Sequence, residues 1–206
     1  MLKRLFDLIL SIVGVLILLP IFLIIGLLIK LTSKGDIIFK QIRVTKNGKE
    51  FKIFKFRTME PNTEKQSQIT VGDDNRITPI GKVLRKTKFD EMPQLFNIIF
   101  GDMSFVGPRP EVPKYVALYT KEQKEILTVR AGITDYASIY FSNENEILGK
   151  QKNPEKYYIE KIIPYKLKLN KKYIKEASIA TDIKIIFLTI FKIVGLLDTN
   201  NFKEEN

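Results

Sequence analysis

Asp90-Glu91-Met92-Pro93 sets two adjacent carboxylates at the start of a helical pattern, with proline in the first turn, where its missing N–H costs nothing. The plainest account of such a pair is structural, because Asp is a favoured N-cap and Glu suits the positive end of a helix dipole. The surroundings ask for more. Arg85, Lys86 and Lys88 stand just upstream, and Gly107-Pro108-Arg109-Pro110 follows closely. A helix N-terminus beside arginine is a ready phosphate site. Carboxylates in the same place would repel phosphate unless Mg²⁺ bridged them or one of them attacked phosphorus itself. Both options point to phosphoryl chemistry. The chain contains neither histidine nor cysteine, so carboxylates, Lys, Arg, Tyr and hydroxyls must carry any reaction. A metal would be a hard, oxygen-bound ion, Mg²⁺ first.

A second cationic cluster, Lys52, Lys55 and Arg57, alternates with Phe51, Phe54 and Phe56. Such a run suits a solvated strand face, or a surface on which nucleic-acid bases stack. The formal charge of +11 calls for an anionic partner without choosing between phospholipid, nucleotide and nucleic acid.

The elements that must position these residues are partly readable. Ile37–Val44 and Phe51–Phe56 flank Lys46-Asn47-Gly48-Lys49, which predicts a β-hairpin turning at Asn-Gly. Pro61–Arg76 is polar and without periodicity, and reads as a surface loop. Ile80, Val83 and Leu84 recur at helical spacing. A break near Lys88 and a second helix from about Glu91 to Phe100, closed by Gly101, follow. Pro113–Lys124 reads as helical, and Ala131-Gly132 and Asn143 as loops. A last helix opens at Thr181-Asp182, and its stripe Ile183, Ile186, Phe187, Ile190, Phe191 and Val194 suits core packing. Lys184 and Lys192 would equally suit a helix in the headgroup layer. The fold class is mixed α/β and mainly helical.

Leu8–Ile29 is apolar except for Ser11, Gly14, Pro20 and Gly26, long enough to cross a bilayer. Lys3 and Arg4 precede it and Lys30, Lys34, Lys40 and Arg43 follow, so both flanks carry the cytoplasmic charge signature. A single span meets one flank, whereas a helix entering and leaving on one side meets both, and Pro20 is where it would bend. Residues 1–35 are therefore read as the membrane element, 36–198 as a cytoplasmic catalytic domain and 199–206 as a polar tail.

Three ordered motifs carry a resemblance: Lys55-Phe56-Arg57-Thr58-Met59, Asp90-Glu91-Met92-Pro93-Gln94-Leu95-Phe96-Asn97, and Gly101-Asp102-Met103-Ser104-Phe105-Val106-Gly107-Pro108-Arg109-Pro110. Together they closely resemble the bacterial sugar transferases known as monotopic phosphoglycosyl transferases, from Lys3 through Arg130 and more weakly to Tyr157-Tyr158. The resemblance implies a re-entrant membrane helix bent at Pro20, a catalytic domain with interfacial amphipathic helices, and residence at the cytoplasmic face of a bacterial inner membrane. It implies that Asp90 attacks the sugar-bearing phosphorus of a UDP-sugar and expels uridine monophosphate. Polyprenyl (undecaprenyl) phosphate then takes the phosphosugar, starting a capsule, exopolysaccharide, O-antigen or glycoprotein glycan. Glu91 would share a Mg²⁺ with Asp90, and Arg85 and Arg109 would contact phosphate. Lys55, Arg57, Arg130 and Glu155 join them as candidate substrate contacts. Membrane phospholipid is a further partner, nucleic acid is not expected, and a homodimer is left open. Three departures bear on the carry-over. Leu19 stands where Ser often precedes the bend proline, Ala131-Gly132-Ile133-Thr134-Asp135-Tyr136-Ala137-Ser138 replaces the usual run after Arg130, and Glu155 takes the place of an Asp. The competing class is a membrane-tethered basic protein binding nucleic acid or anionic lipid, which leaves Asp90-Glu91 and the Gly-Pro-Arg-Pro turn unexplained.

Overall fold

The computed structural model describes residues 2–61 and 74–197; most of the loop expected over Pro61–Arg76 and the polar tail 199–206 lie outside the described residues. The chain is mixed α/β and mostly helical. It begins with a 31-residue helix, α1 (Leu2–Thr32), whose backbone stays helical through Pro20. Its buried residues, Asp7, Ser11, Phe22, Ile25, Gly26 and Ile29, run down one face, and the other faces expose leucine and isoleucine. Phe22, Ile25 and Ile29 share a core with Phe51, Ile53, Phe56, Leu84, Leu95, Ile98 and Met103. A Cβ on Gly14 would sit 3.3 Å from Leu95.

The expected hairpin forms from β1 (Ile38–Val44) and β2 (Glu50–Phe56), antiparallel, with Arg43 opposite Phe51 and Phe39 opposite Lys55. Its turn is one short 3₁₀ segment, Lys46–Gly48, where Asn47 and Gly48 take positive φ (58° and 75°), the left-handed region these residue types tolerate. Helix α2 (Pro79–Thr87) is opened by Thr78, whose hydroxyl accepts from the Gly81 N–H, with proline in the first turn. It stops at Lys88, which is left-handed (φ 60°). The next helix starts later than the sequence suggests. Phe89–Glu91 is a 3₁₀ turn, and α3 runs from Gln94 to Phe100 before Gly101 closes it at φ 90°.

Two short strands were not expected: β3 (Met103–Val106) and β4 (Ala131–Thr134) pair in parallel. Ala131-Gly132 is thus strand and not loop. Each strand is four residues long, and the pair exists because Gly107 and Gly132 let two backbones touch: a Cβ on Gly132 would lie 2.1 Å from the Gly107 nitrogen. The helix expected over Pro113–Lys124 is also cut short. Helix α4 spans only Pro113–Val116, and a 3₁₀ segment, Gln123–Thr128, begins where the Thr120 hydroxyl accepts from the Gln123 N–H.

Helices α5 (Tyr136–Tyr140), α6 (Glu144–Gly149), α7 (Pro154–Tyr157) and α8 (Ile163–Glu176) follow, with a π-helical turn at Tyr158–Ile162 leading into α8. Helix α9 (Ile179–Ile193) is capped by Ser178. Its buried residues are Asp182 and Ile185, and the stripe expected to pack inward is largely exposed, Phe187 and Val194 most of all. The amino-terminal turns of α1 are tied to this region. Lys3 pairs with Asp182 and donates to the Val106 carbonyl, while the Asp7 carboxylate accepts from the Phe105 N–H.

Candidate active site

The fold brings β2, α2, the 3₁₀ turn before α3 and the turn after β3 to one place, and each contributes a charge. Asp90 is 7% exposed, and its Oδ1 accepts no hydrogen bond among the described residues. It does not cap α3: the residue in that position is Pro93, with no side-chain cap. Burial raises the Asp90 carboxyl above the usual carboxylate range and the neighbouring Glu91 charge adds to the effect, against Lys55, Arg85 and Lys88.

Glu91 is the opposite case. The Arg109 guanidinium grips both of its oxygens, with Nη1 at 2.9 Å from Oε2 and Nη2 on Oε1, and Lys55 Nζ reaches Oε1 at 2.9 Å. Burial disfavours the Glu91 charge, but Arg109 and then Lys55 outweigh it and hold the group well below its usual range. One carboxylate of the pair is thus locked as an anion between two cations. Its neighbour has a free oxygen and a raised proton affinity.

The supporting contacts are backbone-deep. The Pro-Arg-Pro turn is fixed where the Asp135 carboxylate, which also caps α5 through the Ser138 N–H at 2.6 Å, accepts from the Arg109 N–H at 3.3 Å. Arg85 donates to the Thr58 hydroxyl at 2.9 Å, and α2 can press against Thr58 because position 81 is glycine: a Cβ there would meet the Thr58 oxygen at 2.2 Å. Arg43 donates to Glu111, to the Pro110 carbonyl at 3.1 Å and to Gln41. The Tyr158 hydroxyl donates to the other oxygen of Glu111. Arg43, Glu111 and Tyr158 therefore hold the far side of the turn that carries Arg109. Composition gave no signal for Arg43, since only the strand register turns it inward.

Of the residues singled out in the sequence, Asp90, Glu91, Lys55, Arg85 and Arg109 meet here. Arg57 is buried and donates to the Ser33 and Lys34 carbonyls and the Ser33 hydroxyl at the end of α1, with its Nε unpartnered among the described residues. Arg130 donates to the Gly101 carbonyl at the end of α3, where Arg4 caps Ile98 and Ile99. Glu155 pairs with Lys114 on the surface and accepts from the Tyr115 hydroxyl at 3.3 Å. Pro20 lies within α1. Among the described residues no group of three or more acidic or histidine side chains converges. A Mg²⁺, which commonly takes one or two carboxylates and completes its shell with substrate phosphates and water, would here use a carboxylate oxygen of Asp90. Glu91 already accepts three hydrogen bonds from Arg109 and Lys55, which leaves one acceptor site on Oε2.

A buried carboxylate with an unpaired oxygen among the described residues, set beside Lys55, Arg85 and Arg109, has the charge arrangement that suits phosphate. The profile of the bacterial sugar transferases matches residues 1–195, and the chain belongs to that family. It is 42% identical over 195 residues to a UDP-glucose:undecaprenyl-phosphate glucose-1-phosphate transferase of Klebsiella pneumoniae, covering 92% of this chain and 39% of that protein. It is 35% identical over 192 residues to a UDP-N-acetylgalactosamine-undecaprenyl-phosphate N-acetylgalactosaminephosphotransferase of Aeromonas hydrophila, covering 91% and 42%. The chain thus spans about two fifths of the length of these relatives. It is also 34% identical over 207 residues to the uncharacterized sugar transferase EpsL of Bacillus subtilis, here over 99% of this chain and 94% of that protein.

Proposed function

We propose that the chain transfers a sugar-1-phosphate from a UDP-sugar to undecaprenyl phosphate by way of a phosphosugar carried on Asp90. The observation that supports this most strongly is the unpartnered, buried Oδ1 of Asp90 beside cations already organised by Glu91. In the first step a carboxylate oxygen of Asp90 attacks the phosphorus bearing the sugar. The bond from that phosphorus to the bridging oxygen breaks, and uridine monophosphate leaves with the electron pair. Lys55, Arg85 and Arg109 hold the phosphate oxygens as charge shifts toward the leaving group. In the second step an oxygen of undecaprenyl phosphate attacks the same phosphorus, frees the Asp90 carboxylate and gives the undecaprenyl diphosphate-sugar. Glu91 acts here as the anion that keeps Arg109 and Lys55 in place. A Mg²⁺ bound by Asp90 and the donor diphosphate would neutralise phosphate charge.

The acceptor is a lipid, and α1 supplies the membrane element. We place both ends of α1 on the cytoplasmic side of the inner membrane, a reading supported by the basic residues on both flanks and by the contacts its face from Asp7 to Ile29 makes with the rest of the chain. The test of the activity is uridine monophosphate release from a panel of UDP-sugars with undecaprenyl phosphate. At least one donor turns over, and a chelator that removes Mg²⁺ stops it. No release with any donor refutes the assignment, and full activity in chelator refutes the metal.

A further inference from the structure

Position 100 ends α3 with a phenylalanine that is 66% exposed, and position 42 on β1 exposes an isoleucine to 48%. They belong to one surface. Cross-strand pairs Lys40–Phe54 and Ile42–Lys52 put these four residues on the outer face of the hairpin. The Phe54 ring meets that of Phe100 edge-on at 6.3 Å, and Lys40 Nζ lies 6.0 Å from the centre of the Phe54 ring. Asn97 clamps this edge of β2 to α3, accepting from the Phe54 N–H at 2.9 Å and donating to the Lys52 carbonyl at 2.8 Å. The patch is therefore rigid, apolar at its centre and cationic at its rim, where Lys40, Lys49 and Lys52 stand. The acids there are Glu50 at the far end and Asp102, which pairs with Lys49. None of these side chains takes part in the site around Asp90.

The position of the patch indicates its occupant. Arg4 donates to the Ile98 and Ile99 carbonyls at 2.6 and 3.1 Å, which fixes the last turn of α3 against the first turns of α1. There Leu2, Leu5 and Ile9 are each more than half exposed. An apolar surface that abuts a lipid-facing helix and is fringed with lysines has the chemistry of a headgroup-and-acyl boundary. We infer that the Phe100–Phe54–Ile42 patch is a second membrane contact, seated on anionic phospholipid beside α1. This rests on the reading of α1 as a membrane element.

The chain has no tryptophan, so one introduced indole reports a single place. The full chain carrying Phe100→Trp, and separately Leu16→Trp on the exposed face of α1, is reconstituted in anionic vesicles whose acyl chains are brominated. For Phe100→Trp the inference expects blue-shifted emission, quenching by the bromolipid and protection from aqueous acrylamide. Lys40→Glu together with Lys52→Glu in that background lessens the quenching. Leu16→Trp quenched while Phe100→Trp is not, and stays open to acrylamide, overturns the inference and leaves α1 in the bilayer. If neither is quenched, the membrane reading of α1 itself falls. Acrylamide protection without bromolipid quenching, growing with protein density in the vesicle, assigns the patch to a second copy of the chain and overturns the inference.

Discussion

Asp90 and Glu91 are neighbours in sequence with opposite electrostatics, and the difference is a matter of partners. Asp90 is buried and Glu91 half-buried, but Glu91 has two cations on it, whereas an oxygen of Asp90 has no hydrogen-bond partner among the described residues. The sign of each shift yields a prediction. A carboxyl raised in the folded state is destabilising once ionised, so Asp90→Asn should leave thermal stability at neutral pH unchanged or higher. It should nonetheless abolish turnover, since an amide does not form the acyl phosphate. In the wild type, the rate should fall as pH drops through the raised Asp90 pKa, because only the ionised form attacks. Glu91 is lowered, so its contribution is present above the unfolded pKa and is lost as pH falls through the folded one. Glu91→Gln should cost about 2 kcal/mol at neutral pH, less than for a wholly buried pair because Arg109 keeps 36% of its side chain in solvent. Urea unfolding at pH 7 checks both; equal losses for the two variants would contradict this division of roles. The dyad was legible because two carboxylates beside so many cations need a reason. The opposite electrostatics of its two members were not, since they depend on Arg109 arriving from a turn after β3.

At the scale of elements, local chemistry was readable wherever it was sufficient. Asn47-Gly48 set the hairpin turn, the spacing of Ile80, Val83 and Leu84 marked α2, and Gly101 closed α3. The parallel pair of β3 and β4 was hidden because four-residue strands carry almost no periodicity, and their pairing depends on glycines far apart in sequence. Arg57 and Arg130 were legible as cations but not as ties to the ends of α1 and α3, since the carbonyls they meet are set by packing. The α9 stripe was readable as a stripe, but nothing local decides what it faces. The strand pair gives the element-scale prediction. Gly132→Ala places a methyl carbon against the Gly107 backbone, which cannot yield without parting β3 from β4. It should cost about 1–3 kcal/mol, the usual range for overpacking, and lower activity further by moving the Arg109 turn. A melting temperature equal to wild type would show that the two glycines are not in close contact.

In the whole molecule, α1 shares one hydrophobic core with β2, α2 and α3, with Phe22 of α1 packed edge-on to Phe56 of β2 at 5.5 Å. Lys3 and Arg4 hold one end of α1 to the domain, and Arg57 holds the other. Because the chain lacks cysteine, single cysteines at Lys3 and Lys34 can be labelled cleanly in whole cells. Both should resist a membrane-impermeant reagent added outside and react once the cells are opened. Labelling of either from outside would contradict a helix that returns to its own side. All of this architecture serves one claim, that Asp90 carries the sugar phosphate between donor and lipid. The most direct measurement is the intact mass of the purified protein after incubation with its UDP-sugar and no acceptor. The expected result is a gain of one sugar phosphate, mapped to the peptide holding Asp90, absent in Asp90→Asn and discharged by undecaprenyl phosphate. An unmodified mass with an active donor trapped under denaturing quench, or an adduct on any other residue, would contradict it.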